Sequence, residues 1–77
     1  MNTIQTIIRG VWADTQFSHG PQKQHIGKVT FGKKHSDASI AREVQTIRDR
    51  IDRAFGYVPV NFYVYTEDNK TMTVTWV

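Results

Sequence analysis

The sequence predicts an α+β domain of order β-β-α-β-β, in which one amphipathic helix packs on a four-stranded sheet. Three observations point there. Apolar side chains recur at Ile40, Val44, Ile47, Ile51 and Ala54/Phe55, the spacing of a single helical stripe. Downstream, VNFYVYT and KTMTVTWV alternate with period two around the turn residues Glu67, Asp68 and Asn69. Upstream, residues 4–13 are rich in β-formers. Residues 25–33 alternate, with Val29 and Phe31 on one face and Lys28 and Thr30 on the other. The 77 residues suffice for a single domain, 1–77, with a small core.

Taken in order, the first strand is placed at residues 4–13, where Gly10 marks a bulge in an imperfect alternation. A long polar loop, TQFSHGPQKQ, follows, centred on Gly20-Pro21. The second strand, residues 25–33, overlaps the stretch GKVTFGKK. Its Gly27, Gly32 and Lys33 have the spacing of a nucleotide phosphate loop. Such a loop needs backbone free to curl around phosphate. Here Val29, Thr30 and Phe31 are strong strand formers, and Lys34 stands where a magnesium-binding hydroxyl belongs. A strand is expected, and no nucleotide.

Ser36 or Asp37 caps the helix over 37–55, and Gly56 ends it. Val58-Pro59 blocks further helix and starts an extended segment. A three-residue loop of Glu67, Asp68 and left-handed Asn69 sets Thr66 against Lys70, Val64 against Met72, Phe62 against Val74 and Val60 against Trp76. Tyr63 and Tyr65 then share the other face with Thr71, Thr73 and Thr75. The hairpins are expected to lie side by side in strand order 2-1-4-3, as in β-grasp domains. The terminal strands are then parallel central neighbours. The alternative sets strand 2 beside strand 3 or 4 through a right-handed crossover.

Composition narrows the function. There is no cysteine, which fits a reducing cytoplasm, and no apolar run long enough to span a membrane. The opening MNTIQTIIRG lacks the basic start and apolar block of a secretory signal. Net charge is +3, but residues 15–36 contain no acid and carry +4 on Lys23, Lys28, Lys33 and Lys34, leaving −1 elsewhere. His19, His25 and His35 lie in this stretch without metal-ligand spacing, and no nucleophile has an evident base. The expectation is a non-enzymatic protein without catalytic residue, metal or cofactor. Its binding surface is expected to comprise Lys23, Lys28, Lys33, Lys34, Tyr63 and Tyr65. The favoured partner is a protein, with homodimerisation suggested by the small core. Nucleic acid is the alternative, since lysines beside exposed aromatics suit phosphate contact and base stacking.

Residues 26–74 resemble the β-α-β-β part of the DinI family of DNA-damage regulators. The likeness lies in GKVTF, in SIAREVQTIRDRIDRAF with its closing Ala54-Phe55, and in VNFYVYTEDNKTMTV with Val60, Phe62, Val64, Tyr65 and Asn69. The resemblance implies a helix-on-sheet fold and a role in DNA metabolism. Family members bind RecA filaments through an acidic C-terminal helix. No acidic helix is expected within residues 1–77 and their net charge has the opposite sign, so no functional residue is carried over.

Overall fold

The computed structural model describes residues 3–77. Its elements are α1 (Thr3–Val11), β1 (Gln16–His19), β2 (His25–Thr30), α2 (Asp37–Phe55), β3 (Tyr63–Tyr65) and β4 (Thr71–Trp76), with a short 3-10 turn at Pro21–Lys23. The fold class is α+β, with a long helix across a four-stranded sheet.

The first strand expected at residues 4–13 is a helix instead. Ile4, Ile7, Ile8, Val11 and Trp12 follow the i, i+3, i+4 rule, so a helix gathers them on one side. Ile8 and Trp12 are buried, and Ile4, Ile7 and Val11 pack against the same core. Gly10 is not a bulge; it is exposed, with no neighbour within 4 Å of where a Cβ would stand. Trp12 Nε1 donates to Glu43 Oε2 at 2.7 Å, tying α1 to α2. Thr15 closes the helix end by donating its Oγ1 proton to the Trp12 carbonyl at 2.6 Å.

The first strand therefore comes from the expected loop, as QFSH. The sheet order is β1-β2-β4-β3, antiparallel throughout. Relative to 2-1-4-3, the first hairpin is inverted, so that β2 rather than β1 lies against β4. Once α1 consumes the N-terminal residues, only four are left for β1, and the longer β2 takes the central place. β2, α2 and β3 then form a crossover with β4 inserted between the two strands.

α2 matches its expected bounds. The Ser36 side chain accepts from Ser39 N, and Gly56 adopts φ 80°, the left-handed stop that glycine takes without strain. Its stripe buries Ile47 and Ile51 fully and Ile40 and Val44 partly, while Ala54 and Phe55 emerge into solvent. The sheet contributes Val29, Met72, Val74 and Trp76 to the same core, joined by Phe62. Phe17 lies directly opposite Gly27, where an added Cβ would sit 3.1 Å from its ring.

The second hairpin keeps its expected faces but slips two residues. Val64 pairs with Val74 rather than Met72, and Tyr63 with Thr75 rather than Thr73. An even shift leaves every side chain on its own side. The cause is a longer loop, residues 66–70, built on side-chain hydrogen bonds. Asp68 Oδ1 accepts from the backbone N–H of Lys70 and of Thr71, each at 2.9 Å. Thr66 Oγ1 donates to the Thr71 carbonyl and accepts from Asn69 N. Asn69 is left-handed, as expected, at φ 59°.

Candidate functional site

α1 and α2 pack on one face of the sheet and leave the other open. The register sets Gln16, Lys28, Thr73 and Tyr65 in one row across that open face, and Ser18, Ile26, Thr75 and Tyr63 in the next. Tyr63 is 58% exposed and Tyr65 47%. Threonines 71 and 73 floor a groove of about 260 Å³, walled by Lys28 and Thr30 on one side and by Tyr65, Glu67 and Asp68 on the other. A second depression of about 330 Å³ lies across Lys28 toward Gln16 and Ser18.

Lys28, Tyr63 and Tyr65 are thus brought together, but the other lysines are not. Lys23 ends the 3-10 turn at one end of β2 with a left-handed φ of 63°. Lys33 and Lys34 follow the opposite end, and six strand residues separate the two groups by roughly 20 Å. Phe31 N donates to the Lys70 carbonyl at 2.7 Å and His35 N to the Asn69 carbonyl at 2.9 Å. Lys33 and Lys34 therefore bow outward between two anchors on the β3–β4 turn. Asn69 Nδ2 returns hydrogen bonds to the His35 carbonyl at 3.0 Å and to Asp37 Oδ1 at 2.8 Å.

The charge of the groove is mixed. The backbone N–H groups of Lys70 and Thr71 hold the Asp68 carboxyl below its ordinary value, so it is negative at neutral pH. Glu67 stands beside it and Lys28 across from it. A polyanion entering here would meet both carboxylates.

The histidines behave in a way their spacing did not reveal. His19 and His25 are cross-strand partners, with ring centroids 5.0 Å apart. His25 stacks on Trp76 at 5.1 Å, and its Nδ1 is buried without a hydrogen-bond partner. His35 packs on Phe31, and its Nδ1 meets Ser39 Oγ at 2.8 Å. Among the described residues no group of three or more His, Cys, Asp or Glu side chains is placed to hold a metal ion. No helix among them is long and apolar enough to cross a membrane.

A further surface feature went unforeseen. Val60 was expected to face the core opposite Trp76, yet it is 88% exposed. A turn closed by Phe62 N on the Pro59 carbonyl swings it outward. Phe55, Tyr57, Val60, Tyr63, Tyr65 and Val77 are the exposed large apolar side chains among the described residues. All but Val77 fall within residues 54–66, an uncharged stretch that contains β3. The signal that could have found these residues is that absence of charge. Compared with known proteins, the chain matches no family model, no curated protein and no solved structure.

Proposed function

We propose that this protein is a small, non-catalytic regulatory or accessory factor that acts by binding another protein through its open sheet face. The supporting observation is the pair Tyr63 and Tyr65, half exposed and side by side above a threonine floor. Tyrosine offers a rigid, amphipathic contact area at low entropic cost, and it is enriched at protein interfaces. The groove beside it carries Lys28, Glu67 and Asp68, a mixture of charge that suits a polar protein surface better than a phosphate backbone. The absence of cysteine supports a cytoplasmic setting.

Nucleic acid is the second reading, favoured by Lys28 lying in the same row as Tyr65. Against it stand the two carboxylates and the dispersal of Lys23 from Lys33 and Lys34. Phosphate contacts weaken steeply as salt rises. A gel shift at low salt with single- and double-stranded DNA and RNA is expected to show no complex; a salt-sensitive complex would reverse the preference. For the protein-binding reading, immobilised wild type and Tyr63→Ala/Tyr65→Ala serve as parallel baits for a cell extract. A partner held by the first and lost by the second supports the reading, and equal retention by both removes it. The role in DNA metabolism implied by the resemblance to DinI-type regulators is tested with RecA filaments as the added partner.

A further inference from the structure

We propose that one partner of this surface is a second copy of the chain, joined through antiparallel pairing of the β3 edges. The inference rests on the protein-binding reading above and names an occupant for it. Among the described residues β3 is a terminal strand, bonded only to β4. Sheet edges are normally guarded by charge, proline, a bulge or shortness, and of these β3 has only the last. β3 is three residues long, Tyr-Val-Tyr, and none of the three is charged or proline. The other terminal strand, β1, lacks exposed large apolar side chains, since Phe17 is half-buried under the Arg9 guanidinium at 4.9 Å.

The edge is also self-complementary. A two-fold axis at Val64 pairs it with its own copy and sets Tyr63 of one protomer opposite Tyr65 of its partner, twice by symmetry. Both tyrosines stand on the open face, where directly opposed aromatics attract. Val60 (88% exposed) lies near the start of β3, and Val77 (74%) lies two residues beyond Thr75, the partner of Tyr63. Val60, Tyr63 and Tyr65 are thus the exposed large apolar side chains on or just before β3. A standard interface buries about 800 Å² per partner, so the paired backbone and surface flanking the two tyrosines must supply part of the contact. Each copy carries +3, but β3 itself is uncharged, and Lys28 and the carboxylates of Glu67 and Asp68 beside Tyr65 carry opposite signs.

The cysteine-free chain permits a test of register. Single variants Tyr63→Cys and Tyr65→Cys are prepared, and each alone and their equimolar mixture are oxidised. Opposed strand residues have Cα separations that a disulfide tolerates. The mixture is expected to yield a cross-linked dimer and each single variant little. Sedimentation equilibrium of the wild type is expected to give twice the monomer mass. Tyr63→Lys/Tyr65→Lys is expected to return to monomer mass with its far-UV circular dichroism unchanged. A wild type that stays monomeric at its highest soluble concentration overturns the proposal. So does cross-linking by one single variant as efficient as in the mixture. If a monomeric protein still loses an unlike partner on Tyr63→Ala/Tyr65→Ala, the self-pairing idea fails while the binding surface stands.

Discussion

Gly27 illustrates how one missing side chain organises its surroundings. Phe17 lies across it, edge-on to Trp76 at 6.2 Å and under Arg9. A Cβ at Gly27 would meet Phe17 atoms at 3.1 and 3.3 Å and Thr15 Cγ2 at 3.3 Å. Gly27→Ala should therefore cost about 1–3 kcal/mol by overpacking, read as a lower denaturant midpoint with an unchanged slope. Asp68 makes a different kind of prediction. Its carboxyl is held below the ordinary 3.8 by the Lys70 and Thr71 amides. Its ionised form therefore stabilises the folded turn above 3.8, and that contribution is lost as pH falls through the lower folded value. Asp68→Asn keeps an acceptor and loses the charge. The gap in melting temperature between wild type and Asp68→Asn should be present at neutral pH and close progressively on acidification below 3.8. A gap that is constant across the titration would show that the charge does not matter.

Elements differ in how firmly their own residues specify them. α2 has a cap, a stop and an unbroken stripe, all pointing to one structure. Ser36→Ala removes the side chain that receives Ser39 N and should cost about 1 kcal/mol. α1 is another matter. Its nine residues are too few for a stable isolated helix in water, and β-branched Thr3, Ile4, Thr6, Ile7, Ile8 and Val11 favour a strand locally. Packing on α2 and the sheet decides for helix. Ile8 is fully buried, so Ile8→Ala should cost about 2–5 kcal/mol in a denaturant titration, with α1 undocking first. Amide exchange would show that order as early loss of protection over residues 4–11. The spacing of Ile4, Ile7, Ile8, Val11 and Trp12 does carry the helical signal, set against the β propensity of the same residues.

At the scale of the whole protein, two helices cover one side of a small sheet and leave the other side and the terminal strands β1 and β3 open. The extents are 30 × 27 × 21 Å. Edge-to-edge pairing through β3 would produce a markedly elongated particle. Small-angle scattering should therefore show the longest dimension growing with protein concentration, and the melting temperature should rise with it by mass action. Because residues 54–66 bear no charge, raising salt should leave both trends nearly unchanged. A scattering curve independent of concentration would count against assembly.

Local chemistry was enough to determine α2, the strand character of residues 27–30, the turn around a left-handed Asn69, and the face on which Tyr63, Tyr65 and Lys28 stand. Each follows from periodicities of 3.6 or 2 and from residues with a narrow backbone preference. Three-dimensional packing settled what local preference left balanced. It made residues 3–11 a helix, because only a helix gathers five apolar side chains over the core. It inverted the first hairpin, because the remaining strand was too short for the centre. It slipped the second hairpin by two, because Asp68, Thr66 and Asn69 found better partners in a longer loop. It also separated Lys23 from Lys33 and Lys34, since a strand holds its two ends apart however close they stand in sequence.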